Sequence, residues 1–163
     1  MIDIQEFKKI IEGEILNDEE NLEKYSSDYS IFKVKPEIII YPKNKNDILN
    51  IVNFVSKNKK NNPNLSITAR SAGTDMSGGP LNQSIILDFT KHFNKILEIN
   101  PEKQYAKVEP GVYFQNFEKE IQRFNLFYPP YPASKDLCAL GGIIGNNSGG
   151  EKTLKYGKTE DYV

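Results

Sequence analysis

Residues 65–89 read LSITARSAGTDMSGGPLNQSIILDF. The two ends, LSIT and SIILDF, are rich in β-branched residues and read as strands. The middle, ARSAGTDMSGGP at 69–80, holds three glycines, three hydroxyl side chains and one arginine. Two antiparallel strands can be joined by two residues, yet this chain uses about a dozen. One reading is a long hairpin loop that binds nothing. The other is a loop whose exposed N–H groups wrap an anion. Glycine admits positive φ and lets a ligand approach the main chain, and successive N–H groups form an anion nest.

In the second reading Gly73, Gly78 and Gly79 make the turns, and Thr74 and Ser77 add hydroxyl donors. Arg70 adds charge, or pairs with an acid and braces the loop. A diphosphate suits many N–H donors with little lysine. Spacing excludes two other phosphate sites. No Gly-Lys-Ser/Thr occurs, which removes a P-loop. Glycines at 73, 78 and 79 followed by a strand do not match G-x-G-x-x-G opening a helix.

Outward from this stretch the chain alternates helix and strand. EIIIYP at 37–42 reads as a buried strand closed by Pro42. Asn44 is placed to cap a helix, with Asp47 three residues on. Ile48, Ile51, Val52 and Val55 form its stripe, which runs to about Lys59. KNKKNNPN then breaks the helix, and LSIT completes a strand–helix–strand βαβ unit. Upstream, Ile4, Phe7, Ile10 and Ile11 give a helix over 3–12. Asp18, Glu19 and Glu20 open a second short one. Downstream come a strand at 84–89, then KILEI at 95–99 and YAKVEP at 105–110, joined by the turn sequence NPEKQ. Phe114, Phe117, Ile121 and Phe124 mark a helix face. FYPPYPAS forbids regular structure through three prolines, and residues 140–157 carry six glycines.

The 163 residues suit one domain, with 38% hydrophobic and 26% charged residues, enough for a packed core. A net charge of −1 favours neither nucleic acid nor an anionic membrane. The single cysteine, Cys138, permits no internal disulfide and fits a reducing, cytoplasmic setting. The N-terminus has no signal-peptide pattern. The longest aliphatic run, IIIY at 38–41, is far too short to span a bilayer. His92, the only histidine, reads as a solvated strand-end residue. Asp28, Asp75, Asp88 and Asp136 read as turn, cap or strand-end residues.

PEIIIYPKNKNDILNIV, ITARSAGTDMSGG, IILDFTKHFNKILEINPEKQYAKVEPGV and PPYPASKDLCALGGIIGNNSGGEKTLKYGKTEDYV follow one another in an order that resembles the FAD-linked oxidase family. That is the PCMH-type flavin domain shared by vanillyl-alcohol oxidase, glycolate oxidase FAD subunits and D-lactate dehydrogenases. The resemblance covers about residues 20–163. It implies an α+β fold: an FAD-binding domain of two α/β subdomains, the first (βαβ plus hairpin) complete and the second truncated. The divisions expected are 1–35, an N-terminal helical segment; 36–110, the first subdomain; and 111–163, the start of the second. Lacking partner strands, the second is expected to leave its Phe114, Phe117, Ile121 and Phe124 face partly uncovered.

The resemblance also implies cofactor contacts. Arg70, Ser71, Ala72, Gly73, Thr74, Asp75, Met76, Ser77 and Gly78 look like the loop that holds the FAD diphosphate. Pro132, Ser134, Cys138, Ala139, Gly141 and Gly142 look like a second flavin-contacting segment. Gly145, Asn146, Asn147, Ser148 and Gly149 look like a third, and Tyr156 and Gly157 match a Tyr-Gly pair that follows it. Members that attach FAD covalently here carry histidine where this chain has Thr74, and Cys138 is out of register with the attaching cysteine. FAD is therefore expected to be non-covalent. The function implied is hydride transfer from a 2-hydroxy acid of the lactate or glycolate type to flavin N5. Catalytic residues are expected beyond residue 163, in a substrate domain or on a partner chain, and no metal ligands are assigned. The partner implied is a small-molecule substrate; the electron acceptor is left open. A reductase or ether-lipid synthase, or a non-catalytic flavin-binding fragment, are the alternative readings.

Overall fold

The computed structural model describes residues 4–163; residue 3, the first of the expected N-terminal helix, lies outside them. The chain opens with α1 (Ile4–Ile10), β1 (Glu14–Leu16) and α2 (Glu19–Lys24). Then follow β2 (Ile38–Tyr41), α3 (Lys45–Asn58), β3 (Ile67–Arg70) and β4 (Ile85–Asp88). The hairpin strands β5 (Ile96–Asn100) and β6 (Tyr105–Val108) precede α4 (Phe114–Gln122), α5 (Leu140–Gly145) and α6 (Thr153–Tyr156).

Four strands form one sheet in the order β1-β2-β4-β3. β4 lies between β2 and β3 and runs parallel to both, with Ile38 and Ile67 each beside Ile85. The strands that flank the glycine loop are thus parallel, which overturns the hairpin reading. A parallel pair needs a crossover of a dozen or more residues, and residues 71–84 supply it without a helix. The sheet is buried on both faces. Ile38, Ile40, Ile85 and Leu87 pack on one side with Phe7, Ile51 and Leu65. Ile39 and Ile86 pack on the other with Tyr25. This is the period-two alternation of strands covered on both sides. Each fully buried isoleucine contributes about 1.5–3 kcal/mol of transfer free energy, so the centre of the sheet, rather than its edge, holds this unit together.

α3 begins as its sequence demands. Asn44 caps it by accepting the Asp47 N–H at 3.0 Å. The inward stripe, however, is Asp47 and Ile51, which are buried, with Phe54 and Val55 partly buried, the i, i+4, i+7, i+8 pattern. Val52 is 49% exposed, one step off that stripe. Asp47 is 2% exposed. Its carboxylate accepts the main-chain N–H groups of Glu12 at 2.9 Å and Lys43 at 2.8 Å, tying the end of α1 to the β2–α3 turn. β1 was not foreseen in a segment read as helical. It has only three residues and pairs antiparallel with β2 along the sheet edge, too short to show a period in sequence.

A second core forms from Val112, Phe114, Phe117, Ile121, Tyr131, Cys138, Leu140 and Ile143. The β5–β6 hairpin, a sheet of its own, covers this core through Ile96, Ile99, Ala106 and Val108. Of the face expected to be partly uncovered, Phe114, Phe117 and Ile121 are buried. Phe124 is the exception. It lies past the end of α4 and is 47% exposed.

Replacing Asp47 with alanine leaves two main-chain N–H groups without their acceptor. Asp47→Ala is expected to lower unfolding free energy by about 2–4 kcal/mol, read as an earlier midpoint in denaturant titration, with the native circular dichroism spectrum retained.

Candidate functional site

The crossover loop and the segment that begins α5 face each other across a cleft of about 490 Å³. One wall is the end of β3 and the loop: Arg70, Ser71, Ala72, Gly73, Thr74 and Asp75. The other is Pro132, Ser134, Cys138, Ala139, Gly141, Gly142, Gly145, Asn146 and Ser148. Phe89, Pro110 and Ile143 form an apolar floor, and Ala69, Gly79 and Pro80 complete the lining. The sequence did not single out these six as contacts. Phe89 and Pro110 follow strands whose ends meet at the cleft, and nothing local to them signals it.

The loop is shaped from beneath by Arg70. Its guanidinium donates to the carbonyl oxygens of Tyr25 at 3.2 Å and Ser27 at 3.0 Å and lies over the Tyr25 ring. The Tyr25 hydroxyl donates to Asp88 at 2.7 Å and meets the Tyr41 hydroxyl at 2.7 Å. Asp88 is buried and also accepts the Thr90 N–H at 2.7 Å and hydroxyl at 2.6 Å. Burial lowers the Arg70 guanidinium from its ordinary value, while Tyr25 and the carboxylates of Asp88 and Asp28 act against that. Burial and the Asp88 charge together push the Tyr25 phenol far up, so it stays a neutral donor. Arg70 is thus a brace rather than a free cation in the cleft.

Gly73 sits on this brace with φ +70°, and a Cβ there would lie 2.4 Å from the Arg70 guanidinium. Only glycine fits both conditions. The outer half of the loop is fixed by carboxylates. Asp75 accepts the N–H groups of Ser77 at 3.1 Å and Gly79 at 2.8 Å, and Asp28 accepts that of Gly78 at 3.0 Å. The nest expected over the whole loop is therefore filled at 77–79 by the chain's own acids. The main-chain N–H groups of Ala72, Gly73, Thr74 and Asp75 have no acceptor among the described residues, and these four residues line the cleft. Partial burial alone would raise the Asp75 carboxyl, but hydrogen bonds from Ser77, Gly79 and Asn146 hold it below the usual range.

The remaining expected contact residues lie outside the lining. Met76 is 79% exposed, Ser77 is bound to Asp75, and Gly78 abuts Phe32. Asn147 accepts the Glu160 N–H at 2.9 Å. Gly149 allows the close approach of Thr153, and Gly157, at φ +81°, that of Asp161. Tyr156 meets the Phe127 ring edge-on at 5.6 Å. Within the second glycine segment, Gly141 lets α5 approach Pro110, whose carbonyl accepts the Gly141 N–H at 2.8 Å. Gly145 has open space where a side chain would be. Cys138 is buried, and burial pushes its thiol up to about 11, so it is a neutral wall atom at neutral pH. His92 stands at the sheet edge, 3.4 Å from Glu14, and is not part of the lining.

Free main-chain donors on one wall, an apolar floor, and room opposite them fit a long anionic cofactor with a flat ring. A family model described as "FAD binding domain" matches residues 36–163. The chain belongs to that family, and FAD is its cofactor. It is 34% identical over 138 residues to D-2-hydroxyglutarate dehydrogenase of Escherichia coli (strain K12), covering 85% of this chain and 13% of that protein. It is 38% identical over 134 residues to glycolate oxidase subunit GlcD of Bacillus subtilis (strain 168), covering 81% and 27%. It is 29% identical over 164 residues to D-lactate dehydrogenase of Anaerostipes hadrus, covering 98% and 33%. The chain therefore spans a third or less of these relatives. In fold it is similar to 6-hydroxy-D-nicotine oxidase from Arthrobacter nicotinovorans (TM-score 0.74, 24% identity, 93% of this chain and 32% of that one). It is likewise similar to alkyldihydroxyacetonephosphate synthase (TM-score 0.76, 19% identity, 97% and 31%).

Gly73→Val drives a branched side chain into the Arg70 guanidinium and out of an allowed φ. Flavin content of the protein purified from its whole gene is expected to fall by at least about tenfold. Circular dichroism is expected to stay native, because the strain is confined to the loop.

Proposed function

We propose that this chain holds the FAD of an oxidoreductase that acts on a 2-hydroxy acid of the lactate or glycolate type. The observation that carries the reading is the run of four main-chain N–H groups at residues 72–75 that have no acceptor among the described residues, in residues that line the same cleft as a second glycine segment. In this reading those N–H groups donate to the diphosphate. No side-chain cation is needed, because peptide dipoles held in place stabilise an anion well in a partly dehydrated site. Gly145 leaves room for the ribityl chain, and Phe89, Pro110 and Ile143 keep water from one side of the ring. The cofactor lies between the four-stranded sheet and the segment that follows Gly111. When bound, FAD supplies at N5 an acceptor for a hydride from a carbon that carries a hydroxyl.

The choice of substrate class is supported by the relatives, since D-2-hydroxyglutarate dehydrogenase, glycolate oxidase subunit and D-lactate dehydrogenase all bear the names of 2-hydroxy acids. The likeness to alkyldihydroxyacetonephosphate synthase lies at 19% identity and speaks for the fold alone. The flavin is held without a covalent bond: Thr74 offers no imidazole, and the Cys138 thiol stays protonated at neutral pH. A cytoplasmic setting is part of the proposal; among the described residues no helix is long and apolar enough to cross a membrane. Groups that take the substrate's hydroxyl proton lie in other parts of the protein or on a partner chain.

Two measurements test this on the protein expressed from its whole gene. Acid precipitation is expected to release all flavin into the supernatant, and fluorescence that stays with the polypeptide would refute non-covalent binding. Anaerobic addition of D-lactate, glycolate or D-2-hydroxyglutarate is expected to bleach the visible flavin absorbance with at least one of them. Bleaching by none, in a preparation that dithionite bleaches fully, rejects the 2-hydroxy-acid reading.

A further inference from the structure

Asp75 and Asn146 stand 71 positions apart and on opposite walls of the cleft. The Oδ2 of Asp75 is taken up by its own loop, which gives it the N–H groups of Ser77 and Gly79 and the Ser77 hydroxyl at 2.6 Å. Its Oδ1 points the other way and accepts the Asn146 Nδ2 at 2.7 Å. The Asp75 carbonyl accepts the Tyr29 N–H at 2.9 Å. One residue is thus bonded to the loop's turn, to the 28–30 segment and, across the opening, to the end of α5. Elsewhere along the cleft, a Cβ added at Gly142 would stand 3.4 Å from the Ser71 hydroxyl, at ordinary van der Waals distance.

A carboxylate beside a diphosphate site repels the ligand. Serine or asparagine at position 75 would form a similar turn without that repulsion. What they lack is the capacity of an ionised carboxylate to accept four donors from two directions. Three of those donors suffice for the turn, so the fourth bond serves something else. Asn146 caps the C-terminus of α5 through its main chain, donating to Gly142 at 3.0 Å, which leaves its side chain free to reach across.

We propose that Asp75 and Asn146 form a clasp. They are a positioning pair that fixes the spacing between the 71–76 loop and α5 and so sets how firmly the cofactor is retained, without contact to reacting atoms. The inference rests on the reading that FAD lies in this cleft. Asn146→Asp sets carboxylate against carboxylate and is expected to weaken FAD binding about tenfold in the protein expressed from its whole gene, as measured by flavin fluorescence. Asp75→Asn alone leaves an amide pair that one turned carboxamide still bridges, and it serves as the second half of the exchange. The reciprocal double variant restores one donor and one acceptor with the direction reversed, and is expected to bind within about threefold of the original. A purely structural role for either residue predicts no such rescue. Asn146→Ala, at an exposed site, removes the donor without new repulsion and is expected to weaken binding several-fold, which keeps the test open if a charge variant does not fold. Asn146→Asp or Asn146→Ala binding as tightly as the original, or a double variant as weak as Asn146→Asp, overturns the clasp. Gly145→Leu separates this from the reading beneath it: the side chain enters open space, so full FAD binding by that variant would show that the cofactor lies elsewhere.

Discussion

A strand that runs parallel to its neighbour must be reached by a path that returns along the whole strand length. β3 and β4 impose this, and residues 71–84 are that path. Most such returns use a helix, which would satisfy its own main chain. This one does not, so its N–H and C=O groups must find partners one by one. At 77–79 they find Asp28 and Asp75. At 72–75 the N–H groups have no acceptor among the described residues, and those residues line the cleft. The donor array is thus a consequence of strand topology.

The brace under the loop follows from the same constraint. A long irregular crossover needs something to fix its shape, and Arg70, at the last residue of β3, reaches back to the carbonyls of Tyr25 and Ser27. Those carbonyls sit where α2 ends over the sheet, and Tyr25 in turn bonds to Asp88 at the end of β4. The sheet's carboxyl ends, the N-terminal segment and the loop therefore form one hydrogen-bonded unit. The opposing wall is tied on separately, through Gly141 against Pro110 and through the second core that the hairpin covers.

The sequence made the local structure readable where a local interaction decides it. Asn44 caps α3 because its side chain meets an N–H three residues on, and the buried strands at 38–41 and 85–88 follow from unbroken aliphatic runs. The two glycine segments were readable as one site through family resemblance, and the cleft lies between them. The direction of β3 against β4 was hidden, because pairing partners far apart leave no mark on either strand. α5 was hidden inside LGGIIG, where propensity argues against a helix and packing against Pro110 and the second core overrides it. The roles of individual glycines were hidden as well. Gly73, Gly149 and Gly157 look alike in sequence, yet the first sits on a guanidinium and the other two make room for a threonine and an aspartate.

The placement of Arg70 has a consequence for coevolution within the chain. Its guanidinium fills the space where a side chain at 73 would stand, and its donors reach carbonyls 43 and 45 positions away. A shorter residue at 70 would open a void beneath the loop and free those carbonyls, while a larger one at 73 has nowhere to go while the arginine remains. Positions 70 and 73 can therefore drift only in concert, with the 25–27 turn as silent third party. A lineage that lost the arginine would have to rebuild the turn before its glycine regained any freedom.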